Sequence, residues 1–278
     1  MATVPQPTQP QTQQVGLNPT AEQAKQALAR IRETYNNSNQ TTKTNTLLLG
    51  VAGSGKTRSA LTAVGPVLID RFDPHAPLVL NKDIQSGRII VEDFSLKDPA
   101  NPVEWEHWLR RMAERERDGV FNYIGTYYLD SLTFWLEAGM LQIARQDKNR
   151  VSRAPELQDY NLMGVWLRNN LKKITALPCN VVVTGHLERE TEEVSGKVDV
   201  SINIYKKMRP YIPSMFGEIY IAEARSSSKG TTWTFRTRTD GMYKCRTGIG
   251  ADVFDEFEPP DFKHLFKKAG LPCEDKEI

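Results

Sequence analysis

From residue 44 onward, short apolar runs alternate with stretches of helical periodicity, the rhythm of strand–helix–strand units in a largely parallel sheet. Leu47-Leu48-Leu49 is apolar without alternation, which predicts a central strand buried on both faces. Residues 66–70, 88–91, 127–130 and 181–184 predict four further strands. Between them the apolar spacing turns helical, over 55–63, 102–117, 132–144 and 157–177. In the second of these, Val103, Trp105, Trp108, Leu109 and Met112 mark the apolar face, so Arg110, Arg111, Arg115 and Arg117 are expected on the solvated one. Beyond a charged loop come short β segments at 219–221, 232–235 and 242–244, the last two flanking the turn signal Thr239-Asp240-Gly241. A final short helix starts near Pro259-Pro260 and ends at a Gly270 cap. The expected architecture is α/β: a mostly parallel central sheet flanked by helices, with antiparallel β segments near the C-terminus.

Ahead of this domain, placed at residues 44–278, the pattern fades. Residues 1–20 are Pro, Gln and Thr with almost nothing to bury, which predicts a disordered tail. Within residues 21–43, Thr20 caps an expected helix to about Tyr35, followed by a polar linker. Lys+Arg of 36 against Asp+Glu of 34 is too balanced to imply a polyanionic partner, so any such surface must come from local clustering. Three cysteines without CxxC spacing fit neither a disulfide framework nor a zinc site. The first residues lack the basic and apolar regions of a secretion signal, and no run is long enough to span a membrane; a cytoplasmic protein is expected.

The strongest chemical signal is Gly50-Val51-Ala52-Gly53-Ser54-Gly55-Lys56-Thr57, a GxxxxGK[ST] loop placed between a predicted strand and helix. Gly50, Gly53, Ser54 and Gly55 shape a backbone cradle for phosphates, Lys56 bridges the β and γ phosphates of ATP, and Thr57 ligates Mg²⁺. Asp130, ending an apolar strand, is expected to reach the same metal across the sheet's carboxyl edge, and it also suits capping the helix that follows. A carboxylate must also orient the attacking water; Asp70, Asp73, Glu92 and Asp93 are candidates, with Asp73 first. His186, after strand Val183-Thr184-Gly185, is placed to sense the γ-phosphate.

In this order the chain resembles the RecA-like P-loop ATPases, and among them a group of phage proteins that includes single-strand annealing ATPases. The resemblance spans about residues 44–250 and rests on the phosphate loop, Val67-Leu68-Ile69-Asp70, Tyr128-Leu129-Asp130-Ser131, the helix–basic loop–helix of 131–177, Val183-Thr184-Gly185-His186 and Lys244-Cys245-Arg246. It implies a homo-oligomer, ring or filament, acting on single-stranded DNA with ATP and Mg²⁺. One DNA loop would be 145–153, with Arg145, Lys148, Arg150 and Arg153; a second would run from Leu187 to about Lys207, with Lys206 and Lys207 beside Tyr205. Glu188, Glu190, Glu192 and Glu193 in that second loop oppose DNA. Arg246 would serve as a cation donated to a neighbouring protomer's site. One departure stands out: the family's catalytic Glu, two residues after the strand-two Asp, is here Phe72.

Overall fold

The computed structural model describes residues 20–36, 42–146, 155–191, 198–228, 230–250 and 252–277. They fall into two units, divided between Thr41 and Thr42. The first holds α1 (Ala21–Asn36), whose start is closed by a reciprocal cap: the Gln23 amide donates to Thr20 Oγ1 at 3.4 Å and the Thr20 amide to Gln23 Oε1 at 2.9 Å.

The second unit runs β1 (Asn45–Gly50), β2 (Val67–Arg71), α2 (Asn81–Gln85), β3 (Ile89–Asp93), α3 (Glu104–Arg117), β4 (Thr126–Asp130), α4 (Leu132–Arg145), α5 (Leu157–Ala176), β5 (Asn180–Thr191), β6 (Val198–Ile202), β7 (Glu218–Ser227), β8 (Gly230–Arg236), β9 (Phe257–Glu258) and α6 (Phe262–Lys268). The main sheet has the order β3-β2-β4-β5-β1-β7-β8-β9. Its strands are parallel from β3 through β7, and β8 and β9 continue it antiparallel. The core is thus a mostly parallel sheet, with antiparallel strands added at one end.

Alternation along the central strands divides the core between the two faces of the sheet. Leu47 and Leu49 of β1, Tyr127 and Leu129 of β4, and Val181 and Val183 of β5 join the apolar faces of α3, α4 and α5. Leu48, Tyr128 and Val182 point the other way, toward α6 and the turn after β1. Leu48 is fully buried, and truncating it to Ala is expected to cost about 2–5 kcal/mol. Under α3 the rings of Trp105 and Trp135 pack with centroids 4.4 Å apart, and Trp166 stacks on Trp105 from the outside.

Four expectations change. The helix predicted after the phosphate loop is a 3-10 turn over Thr57–Thr62. Ser59 Oγ and Thr62 Oγ1 donate to the carbonyls of Lys56 and Ser59 at 2.6 and 2.8 Å, bonds to residue i−3 that tighten the coil. The fifth strand is far longer than 181–184: after His186 it leaves β1 and pairs antiparallel with β6, Leu187 opposite Ile202 and Thr191 opposite Val198. The hairpin predicted around Thr239-Asp240-Gly241 forms instead between β7 and β8, because Asp240 Oδ1 captures the amides of Met242 and Tyr243 and turns the chain out of the extended state. Arg246 keeps a single antiparallel bridge to Ile219. Finally, Arg115 is buried rather than solvated, for a reason found at β2.

Candidate functional site

β1 delivers Gly50 to the carboxyl edge of the sheet, where the chain has no room for a side chain. A Cβ on Gly50 would lie 2.3 Å from Ser54 Oγ and 2.8 Å from the Ala222 carbonyl. Gly53 and Gly55 take φ of +76° and +91°, the left-handed region that favours glycine. Lys56 is buried and donates from Nζ to the carbonyls of Gly50 and Val51, both at 2.9 Å. Burial lowers its pKa, and the charges of Asp130 and Asp73 oppose that effect. Ser54 Oγ is buried with no hydrogen-bond partner, so the cradle holds an unused donor beside the lysine.

Neighbouring strand ends supply the rest. Asp130 is buried at the end of β4, and its Oδ2 accepts from Thr57 Oγ1 at 2.7 Å. Its Oδ1 accepts from Thr184 Oγ1 of β5 at 2.5 Å, which fixes the carboxylate from behind. No side-chain cap joins it to α4, whose N-cap is Ser131. The Asp130 carbonyl accepts from the amides of both Phe72 and Asp73, at 2.6 and 3.1 Å, and so pins the loop after β2 to the end of β4. That pin separates the two residues. Phe72 turns into the core, stacked on Phe94 at 5.6 Å, while Asp73 faces the phosphate loop. The position that holds a glutamate in the resembled family is therefore a core position here.

Of the four candidate carboxylates, only Asp73 lines the cavity. Asp70 is fully buried and accepts at one oxygen from Arg115 (2.8 Å), Trp108 Nε1 (2.8 Å) and Tyr127 Oη (2.6 Å). Glu92 is bound by Arg115 and Arg111, and Asp93 by Arg71 and Lys97. The arginines expected on the solvated face of α3 include the one that neutralises this buried aspartate.

Asp73 is held by two histidines. The His75 amide and ring lie 2.9 and 3.1 Å from Oδ1, and His186 Nε2 lies 3.4 Å from Oδ2, within ion-pair reach though not aligned as a hydrogen bond. Burial alone would raise the Asp73 carboxyl; His186 and His75 outweigh it and bring it down to about 2. His186 itself is set by Thr133, whose Oγ1 accepts from the His186 amide at 3.2 Å, and by the Phe134 ring. The phosphate loop, Asp73, Asp130 and His186 thus border one cavity of about 700 Å³, a size suited to a nucleotide. Its remaining walls, Arg58, His75, residues 76–79, Phe134 and Trp233, carry no motif that marks them in the sequence. His75 gives no signal at all, and Trp233 only that of an aromatic between threonines in a strand.

Among the described residues, the expected DNA-contacting and finger residues do not line this cavity. Arg145 closes α4 and donates to the Pro102 carbonyl at 3.0 Å, which ties it to the body of the protein. Lys148, Arg150 and Arg153 lie outside the described residues. The second loop is largely the β5–β6 hairpin, and the described part of it is charge-balanced: Lys206 pairs with Glu190 at 2.8 Å, and Arg209 with Glu188 and Glu190. Lys207 is exposed. Tyr205 packs edge-on against Tyr160 at 4.9 Å, so its ring is engaged within the fold. Lys244 and Arg246 border a separate cavity of about 510 Å³ lined by Leu47, Leu49, Ile219 and Ile221, away from the phosphate loop of their own chain.

Fold and site together define a P-loop ATPase domain. The AAA domain family model matches residues 42–247, well over half of the chain, and the chain belongs to that family. No curated protein matches it. Among solved structures, a prototypical ATPase from the type III secretion system of pathogenic bacteria aligns at 13% identity with a TM-score of 0.44. That alignment covers 64% of this chain and 51% of the other, so the chain spans about half the length of that relative. Among the described residues no helix is long and apolar enough to cross a membrane.

Proposed function

We propose that this protein binds ATP with Mg²⁺, hydrolyses it, and couples that cycle to single-stranded DNA as a homo-oligomer in phage-type recombination, annealing or replication. The observation that carries the hydrolytic part is the convergence of Lys56, Thr57, Asp130, Asp73 and His186 on one cavity. Thr57 and Asp130 offer hard oxygen donors 2.7 Å apart, which suits Mg²⁺. Bound there, the ion would neutralise charge on the β and γ phosphates. Lys56 compensates the same charge from the loop side, and its partly desolvated ammonium acts in a low-dielectric setting. Asp73 orients the attacking water rather than taking its proton early, since a carboxylate held near pH 2 is a weak base. His186 joins Asp73 to the first residue of the β5–β6 hairpin, which gives the phosphate end a direct connection to that hairpin.

Support for the DNA part is the order of motifs and the basic residues Lys148, Arg150 and Arg153. Titration of a labelled oligonucleotide in ATP and in ADP, at two salt concentrations, tests it. Tighter binding in ATP is expected, with replacement of the three cations flattening the salt dependence by up to about 0.7 log units for each phosphate no longer neutralised. No binding in either nucleotide removes the DNA reading. A second reading, nucleotide binding without turnover, draws on Phe72 standing where the catalytic glutamate is expected. Phosphate release measured with and without Mg²⁺ separates the two.

A further inference from the structure

The phosphate loop accounts for part of the large cavity's lining. That lining also includes an aromatic ring and exposed aliphatic side chains, which no phosphate needs. Trp233, on β8, lies edge-on to the loop: Nε1 reaches the Gly53 carbonyl at 3.4 Å, and a Cβ on Gly55 would meet its Cδ1 at 2.9 Å. The Arg58 guanidinium backs the ring, 5.4 Å from its centroid. Trp105, Trp108 and Trp135 are buried in the core, whereas Trp233 stays partly exposed on the cavity wall. Leu78 and Val79, in the same cavity, are 73% and 44% exposed. Exposed apolar surface gathered in a concave site marks the place of an apolar ligand face.

We infer that Trp233, backed by Arg58 and sharing its cavity with residues 77–79, is the shelf on which the nucleobase of the bound nucleotide stacks. The inference rests on the nucleotide reading above and adds how the base is recognised. Arg58 directly follows the loop threonine, so the shelf begins where a triphosphate held by residues 53–57 would continue into its ribose and base. The cavity's two carboxylates, Asp73 and Asp130, are both already engaged, Asp73 with His75 and His186 and Asp130 with Thr57 and Thr184. The rest of the lining around the phosphate site, Arg58, Ala76, Pro77, Leu78, Val79 and Trp233, brings no further carboxylate or carboxamide to read a base's hydrogen-bonding edge. A site that grips the flat face and ignores the edge accepts adenine and guanine nearly alike.

The test uses the full chain with Mg²⁺ and three probes: ATP, GTP and inorganic tripolyphosphate, each titrated by calorimetry. ATP and GTP should bind within about fivefold of each other, since stacking is sequence-tolerant. Trp233→Ala should weaken both by about tenfold or more and leave tripolyphosphate unchanged, while Trp233→Phe keeps most of the affinity. Leu78→Ser, at an exposed position where folding is not at stake, should reproduce the selective loss on a smaller scale. Equal weakening of tripolyphosphate and ATP in Trp233→Ala would mean that the ring merely props the loop, and the shelf is then refuted. A preference for ATP over GTP beyond about a hundredfold would refute recognition by stacking alone. If wild type binds none of the three probes, it is the nucleotide reading that fails.

Discussion

Two aspartates three residues apart at the end of β2 anchor two clusters with opposite characters. Around Asp70, Arg115, Trp108 and Tyr127 close a buried network, with the partly exposed Glu92 at its rim. Around Asp73, His75 and His186 border an open cavity together with Asp130 and Lys56. Burial raises the Asp70 carboxyl despite Arg115 beside it, whereas the two histidines hold Asp73 near 2. The same type of side chain is a packing element in one cluster and a cavity wall in the other. What separates them is the turn fixed by the Asp130 carbonyl, which sends Phe72 inward and Asp73 outward.

If that division holds, the two clusters should fail in different ways. The largest effect is expected from Lys56→Ala, which should cut ATP turnover by at least about 10²–10³-fold and weaken ATP binding while the melting temperature of the unliganded protein changes little. Wild-type phosphate release in that variant would detach the loop from chemistry. Next is Arg115→Met, which strands Asp70 in the core and should cost about 3–5 kcal/mol in chemical denaturation. Turnover measured below the melting point should persist, and a stable but inactive Arg115 variant would erase the contrast between the clusters.

Asp130→Asn is nearly isosteric, so nucleotide binding should survive while Mg²⁺-dependent hydrolysis falls by about 10²-fold. Turnover within a few-fold of wild type would move the metal ligand elsewhere.

The smallest effect concerns pH. The folded pKa of Asp73 lies below its unfolded value, so its stabilisation is fully present above about pH 4 and is lost as pH falls through about 2. Asp73→Asn should therefore cost about 1 kcal/mol at neutral pH, allowing for solvent screening of a partly exposed group, and the gap from wild type should narrow in acid. A gap that is constant from pH 7 to pH 3 would mean that shape, not charge, is what Asp73 contributes.

Local signals were enough for the parallel half of the sheet and the phosphate loop. Leu47-Leu48-Leu49 can only be a central strand, and GxxxxGK[ST] needs only its own backbone to form. Asp130 was legible for the same reason, as a charge ending an apolar run. Long-range pairing hid the rest. Nothing within α3 says that Arg115 turns inward, because its partner lies on β2. Residues 187–191 look like a charged loop until β6 supplies the ladder. Trp233 belongs to the cavity only because β8 is carried there by pairing with β7.

The change of partner along β5 also dictates where this protein tolerates insertions. Gly50 pairs with His186, and the very next residue, Leu187, already pairs with Ile202, so no slack separates the two ladders. Adding one residue at that junction would exchange the faces of every side chain from Leu187 to Thr191 and pull Glu188 and Glu190 away from Arg209. A single residue inserted after His186 should therefore keep the domain from folding, whereas the same residue added within an exposed turn of the described chain should not.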